Sequence, residues 1–485
     1  MADNTKIWPI FRWANGGLSD DLFTGIRNSF YYSNNMEVLE DANWIYPKQS
    51  PRWTQIDLWL RTNVWRVAAV LYFNDSRYAF CQEDIFKIDF DLETVTPLSS
   101  WIWNLWQTVH DAEIFNWYVY IATDTHLFRI SQTASDSSWG SQANFTDIWL
   151  NTAWYHPLYA SDICLVVWNW QEVSKVTREI PDQIQDWIKL QSDYYVKFID
   201  ELGWFIRVTA SDWYYWWEIL LWDKISAAAN EVIPMSWYDI KQSCIYNWYH
   251  YLLSDKWLGL INWYQYYILK KNIEVPNYVP PKNWMLVYDD KLHFVTTDWL
   301  FIYWAKNKNY NDVLSLWTES TENNRSPYCL STDWINLIFT EQMTSENDNK
   351  IHIYVYRYTK WAENWTNWVL YTMWYYWNSL SEIKQAMYLR VWYSLPTSSS
   401  NIKVYYRTEE DATSKDDTQW KWHELTPRDW LTPNSDARSP FATTFKLNCR
   451  FQWIQFKFDI TSNWLATMLP TKIYSADLYY NDMLD

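Results

Sequence analysis

The chain has 485 residues, a net charge of −17 and an aromatic content of 20%. Its acidity argues against nucleic-acid specificity, and no apolar run reaches the roughly 18 residues needed to cross a bilayer. The opening Met1-Ala2-Asp3-Asn4-Thr5-Lys6 lacks the apolar core of a secretory signal, so a protein made in a cytoplasm is expected. Five scattered cysteines (Cys81, Cys164, Cys244, Cys329, Cys449) without CxxC spacing read as reduced core residues.

Residues 1–55 are irregular and polar and read as an N-terminal arm. From about 56 to 380 a unit recurs: an apolar strand, a tight turn, a second strand, a short turn, a third strand. Its turns fall at Asp75, Asn116, Asp162, Asp200, Asn247, Asp289 and Asp333, at intervals of 38 to 47 residues. The strands alternate with period two and favour Val, Ile, Tyr and Phe. Examples are Arg77–Phe80, Tyr118–Ile121, Ile163–Val167 and Leu292–Val295, each followed by a further strand at Ile85–Ile88, Leu127–Ile130, Val173–Val176 or Leu300–Tyr303. A period of 40–50 residues with three or four strands marks a β-propeller blade. From 381 to 485 the strands lengthen (Met387–Val391, Ile402–Tyr406, Ile454–Ile460, Ile473–Tyr480) around polar loops such as 408–418. The expected fold is all-β: an N-terminal arm (1–55), a propeller of about seven blades (56–380) and a C-terminal β-sandwich (381–485) of jelly-roll or galactose-binding-like type.

Trp and Gly are exchanged in abundance. The chain has 41 Trp and 6 Gly, where about 7% Gly is usual. Nine Trp follow Asn (44, 117, 170, 248, 263, 284, 365, 368, 464) and five follow Asp (187, 213, 299, 334, 430). Asn-Gly and Asp-Gly are the strongest short hairpin signals, because a type I′ turn needs φ > 0 at both central residues. At about 1 kcal/mol or more for each misplaced residue, fourteen such turns would cost about 14 kcal/mol, comparable with the whole stability of a domain. The expectation is that one codon, UGA foremost, means Gly and has been written as Trp. Trp139, beside Gly140, and Trp422, in Lys421-Trp422-His423-Glu424-Leu425, are the best candidates for genuine tryptophan.

Chemistry-bearing motifs are sparse. None of the seven His (His110, His126, His156, His250, His293, His352, His423) has H-E-x-x-H or zinc-finger spacing. With Trp taken as Gly, Trp101-Ile102-Trp103-Asn104-Leu105-Trp106 spells G-x-G-x-x-G, but a polar loop precedes it instead of a strand. Asp89 and Asp91 alternate on one strand, Asp289 and Asp290 share a turn, and Ser331-Thr332-Asp333 resembles the start of a sialidase Asp box. A glycosidase would need two carboxylates about 5–10 Å apart in a cleft. Glu83, Asp84 and the loop 341–350 are acidic and read as solvated. Trp213-Tyr214-Tyr215-Trp216-Trp217 has the look of a sugar platform; taken as Gly-Tyr-Tyr-Gly-Gly it is a loop with Tyr214 and Tyr215 as candidate partner contacts. No catalytic residue, cofactor or metal is expected.

The run Asn34-Asn35-Met36-Glu37-Val38 to Pro47-Lys48-Gln49-Ser50-Pro51-Arg52 resembles the opening of the propeller-bearing tail nozzle and tubular proteins of tailed phages, over about 20 residues, with Pro47-Lys48 departing from the family's Pro-Arg. UGA read as Gly is similarly known in certain uncultured bacteria and their phages. The resemblance implies a virion structural protein at the tail or head–tail junction. It would be a homo-oligomeric ring subunit made in the host cytoplasm, in contact with other virion proteins and without catalysis. The alternatives are a receptor- or carbohydrate-binding adhesin and a propeller glycoside hydrolase.

Overall fold

The computed structural model describes residues 5–11, 30–34, 36–37, 46–47, 52–57, 67–81, 84–89, 94–98, 107–190, 194–212, 217–235, 239–262, 265–271, 273, 275, 282–297, 300–303, 313–316, 325–333, 335–343, 350–356, 368–372, 375–376, 383–395, 400–411, 421–428, 431, 441–461 and 471–482. The chain divides into two compact units, one of residues 51–300 and 318–357, the other of 1–50, 301–317 and 358–485.

The first unit is a β-propeller, and its described residues form seven antiparallel sheet modules. The first module runs Val67–Phe73, Ser76–Cys81, Ile85–Asp89, Thr94–Pro97. The second runs Asp111–Phe115, Tyr118–Ala122, His126–Ser131, Thr146–Trp149. The third is Leu158–Ala160, Cys164–Asn169, Glu172–Thr177, Gln185–Lys189. The fourth is Tyr194–Leu202, Phe205–Asp212, Trp217–Trp222, Glu231–Pro234. The fifth is Ile240–Tyr246, Tyr249–Ser254, Trp257–Asn262, Gln265–Lys271. The sixth opens on the hairpin Met285–Tyr288 and Lys291–Val295. The seventh takes Arg325–Thr332, Leu337–Met343 and Lys350–Tyr356 from late in the chain and its fourth strand, Arg52–Asp57, from the beginning.

The first strands of the seven modules neighbour one another in a closed cycle, the seventh returning to the first. From the first module to the fifth, and at the seam of the seventh with the first, sheets bury apolar faces against their neighbours, so the core there lies between modules. Phe73, Tyr78 and Phe80 of the first meet Val119, Ile121 and Phe128 of the second. Val166, Trp168 and Val173 of the third meet Val196, Val208 and Leu220 of the fourth. At the seam, Val70, Ala79 and Phe86 of the first meet Ile338 and Ile353 of the seventh. Sheets without an outer layer must bury their apolar faces in this way.

The expected strands are present, and the turns mostly fall where Asn and Asp place them. Asn74 and Asp75, Asn116 and Trp117, Asn247 and Trp248, and Asp289 and Asp290 all have positive φ, as type I′ hairpins require. The fourth module differs. Asp200 lies inside Tyr194–Leu202, and the turn passes through Gly203 at φ +61°, two residues before Phe205, because glycine takes that conformation without a Cβ clash.

The second unit is a sandwich. One sheet has the order Lys6–Phe11, Lys472–Asp482, Lys384–Ser394, Phe441–Phe451. The other has Phe30–Asn34, Trp368–Thr372, Trp453–Thr461, Asn401–Thr408, His423–Leu425, with Tyr375–Tyr376 also paired to Trp453–Thr461. Phe11 of one sheet meets Phe458 of the other edge-on at 5.8 Å. Thus the segment expected to be an irregular arm gives strands to both sandwich sheets and to the seventh propeller module. Ile10 and Phe11 are buried there, and their apolar side chains give the pairing its reason. The sandwich also draws on 368–376, upstream of the expected boundary at 381.

Candidate functional site at the propeller axis

Asp111 and Glu113 stand two residues apart on the innermost strand of the second module, which aims both side chains to one face. Between them sits Lys282, from the segment that enters the sixth module. Its Nζ lies 2.5 Å from Glu113 Oε2 and 3.5 Å from Asp111 Oδ1, and donates to the Leu158 carbonyl at 3.3 Å. Its backbone N–H donates to the Ala68 carbonyl at 3.0 Å, and its carbonyl accepts from Gln242 Nε2 at 2.8 Å. Lys282 thereby touches the innermost strands of the first, second, third and fifth modules. Only a residue crossing the centre of the ring can do so. Asn283 adds the seventh: its carbonyl accepts from Leu330 N at 2.8 Å, and its Nδ2 donates to Leu330 O at 3.3 Å. Gln242 Oε1 accepts from the backbone N–H groups of Trp284 and Met285. The segment 282–284 is a polar plug.

Burial pushes the Asp111 carboxyl up to about 6, against the opposing pull of Lys282 and of the backbone donors Leu158 and Ala112. Lys282 suffers the same burial, but Asp111 and Glu113 outweigh it and hold the ammonium above its ordinary range. A buried ion triad of this sort is stabilised only while every member is present.

Other charged side chains of the ring are likewise committed within it. Arg207 makes a two-pronged pair with Asp200 at 2.7 Å for each contact. Lys224 bridges Glu201 at 2.5 Å and Asp162 of the third module at 2.6 Å. Arg77 of the first module is paired with Asp333 of the seventh across the seam. Lys197 and Lys241 share Asp239; burial lowers Lys197 to about 8. Neighbouring modules are also stitched by tyrosines: Tyr246 donates to Asp290 O at 2.7 Å and Tyr288 to Ile335 O. His110 Nε2 and Asp124 Oδ1 lie 3.0 Å apart, and His156 Nδ1 is 2.6 Å from Trp168 O. Burial lowers His156 to about 4.

The sequence candidates are dispersed. Tyr214 and Tyr215, the G-x-G-x-x-G-like stretch 101–106, Glu83 and Asp91 lie outside the described residues. His293 is buried in its strand with Nδ1 3.2 Å from Lys291 O. His352 pairs with Gln55 in the seventh module. Asp333 is buried and accepts from Ile335 N, Asn336 N and Asn336 Nδ2, a turn-capping role. Asp84 Oδ1 accepts from the Ile85 N–H, and Asp289 is 3.3 Å from Lys291 Nζ. Among the described residues, no group of three His, Cys, Asp or Glu is placed to hold a metal. Sequence reasoning passed over Asp111, Glu113 and Lys282. The available signals were the i, i+2 acidic pair and a lysine after Pro280-Pro281.

No family model matches the chain, and no curated protein sequence matches it. Among solved structures it is similar to the extracellular domain of a B. thetaiotaomicron hybrid two-component system (TM-score 0.46, 11% identity), over 65% of this chain and 40% of that one. It is also similar to YCF48 bound to a D1 peptide (TM-score 0.44, 8% identity, 62% of this chain and 95% of that one). A third is the WD40 domain of Neurospora crassa Pan2 (TM-score 0.40, 6% identity, 64% of this chain and 97% of that one).

Proposed function

We propose that this chain is a structural subunit of a phage virion, at the tail or the head–tail junction, where it acts as a rigid scaffold without catalysis and assembles with its own copies and other virion proteins. One observation carries the mechanical part of this reading. The axis, where a propeller hydrolase would hold its working carboxylates, is filled by Lys282, which engages Asp111 and Glu113. A carboxylate locked to an internal ammonium is a poor acid or base, whereas a ring stitched across its centre is a stiff wall. The phage assignment rests on the resemblance of 34–52 and on the exchange of Gly for Trp, which we attribute to a codon for Gly written as Trp. The test is peptide mass spectrometry of purified phage particles from the source sample, with native mass measurement of the purified protein. An abundant particle protein that forms a closed oligomer is the expected result. Absence from particles refutes the virion role.

A second reading, a glycan-binding adhesin, is favoured by the exposed indoles of Trp117, Trp204 and Trp248. They sit on the turns between first and second strands of the second, fourth and fifth modules, and so on one rim of the ring. A glycan array with the recombinant chain tests it.

A further inference from the structure

Resting on the recoding just proposed, we infer that positions 117, 170 and 248 are glycine in the native polypeptide, that 139 and 422 are tryptophan, and that positions 117 and 248 therefore present no indole to a sugar. Three backbone angles carry this. Trp117 has φ +70°, Trp170 +64° and Trp248 +66°. A left-handed backbone is strained for any residue with a Cβ and most of all for bulky ones; glycine adopts it freely. Asn116-Trp117 and Asn247-Trp248 have positive φ at both central positions of two-residue hairpins, the type I′ geometry in which Asn-Gly is preferred. Trp170 is the first of the two residues between Asn169 and Glu172, the place where a type II′ turn takes glycine.

Packing does not repay the strain. Trp117 is 73% exposed, Trp248 96% and Trp170 42%. An indole in such a turn adds a clash and leaves a large apolar surface in water.

Trp139 is the opposite case. It is fully buried, with its ring 5.9 Å from Tyr78, 6.0 Å from Phe145, 6.2 Å from Phe73 and 6.3 Å from Phe80. Its Nε1–H finds no acceptor among the described residues, so the indole is held by ring packing alone. Trp422 stacks on the Arg407 guanidinium at 4.4 Å and meets Tyr371 at 5.1 Å. Glycine at either place would leave a hole.

The experiment is peptide mass spectrometry of the protein from its natural source, on the peptides spanning 117, 139, 170, 248 and 422. The expected result is Gly mass at 117, 170 and 248 with Trp mass at 139 and 422. Trp mass at the three turns overturns the inference, and so does Gly mass at all five. A second arm uses the recombinant full-length chain. Trp117→Gly, Trp170→Gly and Trp248→Gly together raise the urea midpoint, and Trp139→Gly alone lowers it. A lowered midpoint for the triple variant also overturns the inference. Gly at the turns of a protein missing from particles would leave this inference standing and remove the virion role, so the two readings fail separately.

Discussion

Replacing Lys282 by Met keeps the length of the plug and deletes its charge. Asp111, whose side chain is 2% exposed, and Glu113, at 18%, then stand side by side on one strand without a cation. Breaking a buried pair in this way costs about 3–5 kcal/mol. The loss depends on pH with a definite sign. Asp111 titrates at about 6 when folded and near 4 when unfolded. The native state therefore binds the extra proton between these values, and stability falls as pH rises through that window, by about 3 kcal/mol for two pKa units. Without Lys282 the folded value rises further, so the fall continues above pH 6. The urea midpoint of Lys282→Met, measured on the full-length chain, is expected to lie closest to the parent near pH 5 and furthest from it near pH 8. Adding Asp111→Asn and Glu113→Gln to Lys282→Met recovers much of the loss, because no buried charge remains. A gap that stays constant from pH 5 to pH 8, or a single variant as stable as the parent, refutes the account of the plug as a charged triad.

Three further outcomes are expected. Arg77→Met strands the buried Asp333 carboxylate at the seam and lowers stability by about 3 kcal/mol; limited proteolysis should then cut the first module before the third and fourth, and uniform cleavage would contradict this. His156, lowered to about 4 by burial, is neutral in the fold, so its contribution is lost as pH falls from about 6.5 toward 4. His156→Gln should flatten that part of the stability profile, and an unchanged acid limb would show that another group governs it. Replacing Thr54 and Ile56 by Pro removes ladder donors from Arg52–Asp57 and frees Lys350–Tyr356 as an open edge while leaving the sandwich strands intact; size-exclusion chromatography should show aggregation, and a monodisperse product would mean that the seam holds without its clasp.

The repeat was legible because hairpin turns write themselves locally. Asn116-Trp117 and Asn247-Trp248 mark two turns by residue type alone, and the backbone there is left-handed as the reading required. Asp200 misled because an acidic residue in a strand that pairs with Arg207 looks the same in sequence as one that caps a turn. The strand Lys6–Phe11 was invisible for a different reason. Its partner, Lys472–Asp482, lies at the other end of the chain, and pairing at that distance leaves no periodic trace. The axial triad has the same character. Asp111 and Glu113 belong to one blade and Lys282 to the approach to another, 171 and 169 residues later, so the chemistry that joins them exists only after closure.

The seam strand has a bearing on how the molecule is made. Arg52–Asp57 leaves the ribosome early and must wait for Lys350–Tyr356, some 290 residues later, before its ladder can form. Relative to a 40-residue blade, a loop of that size raises the entropic cost of closure by only about 2 kcal/mol; the delay is the larger difficulty. Until the partner arrives the early strand is an unpaired edge. A chain halted anywhere before residue 350 carries only the first half of the clasp. A closed ring thus records that synthesis has passed residue 356, since the described strands that lock it are the earliest and the latest of the ring.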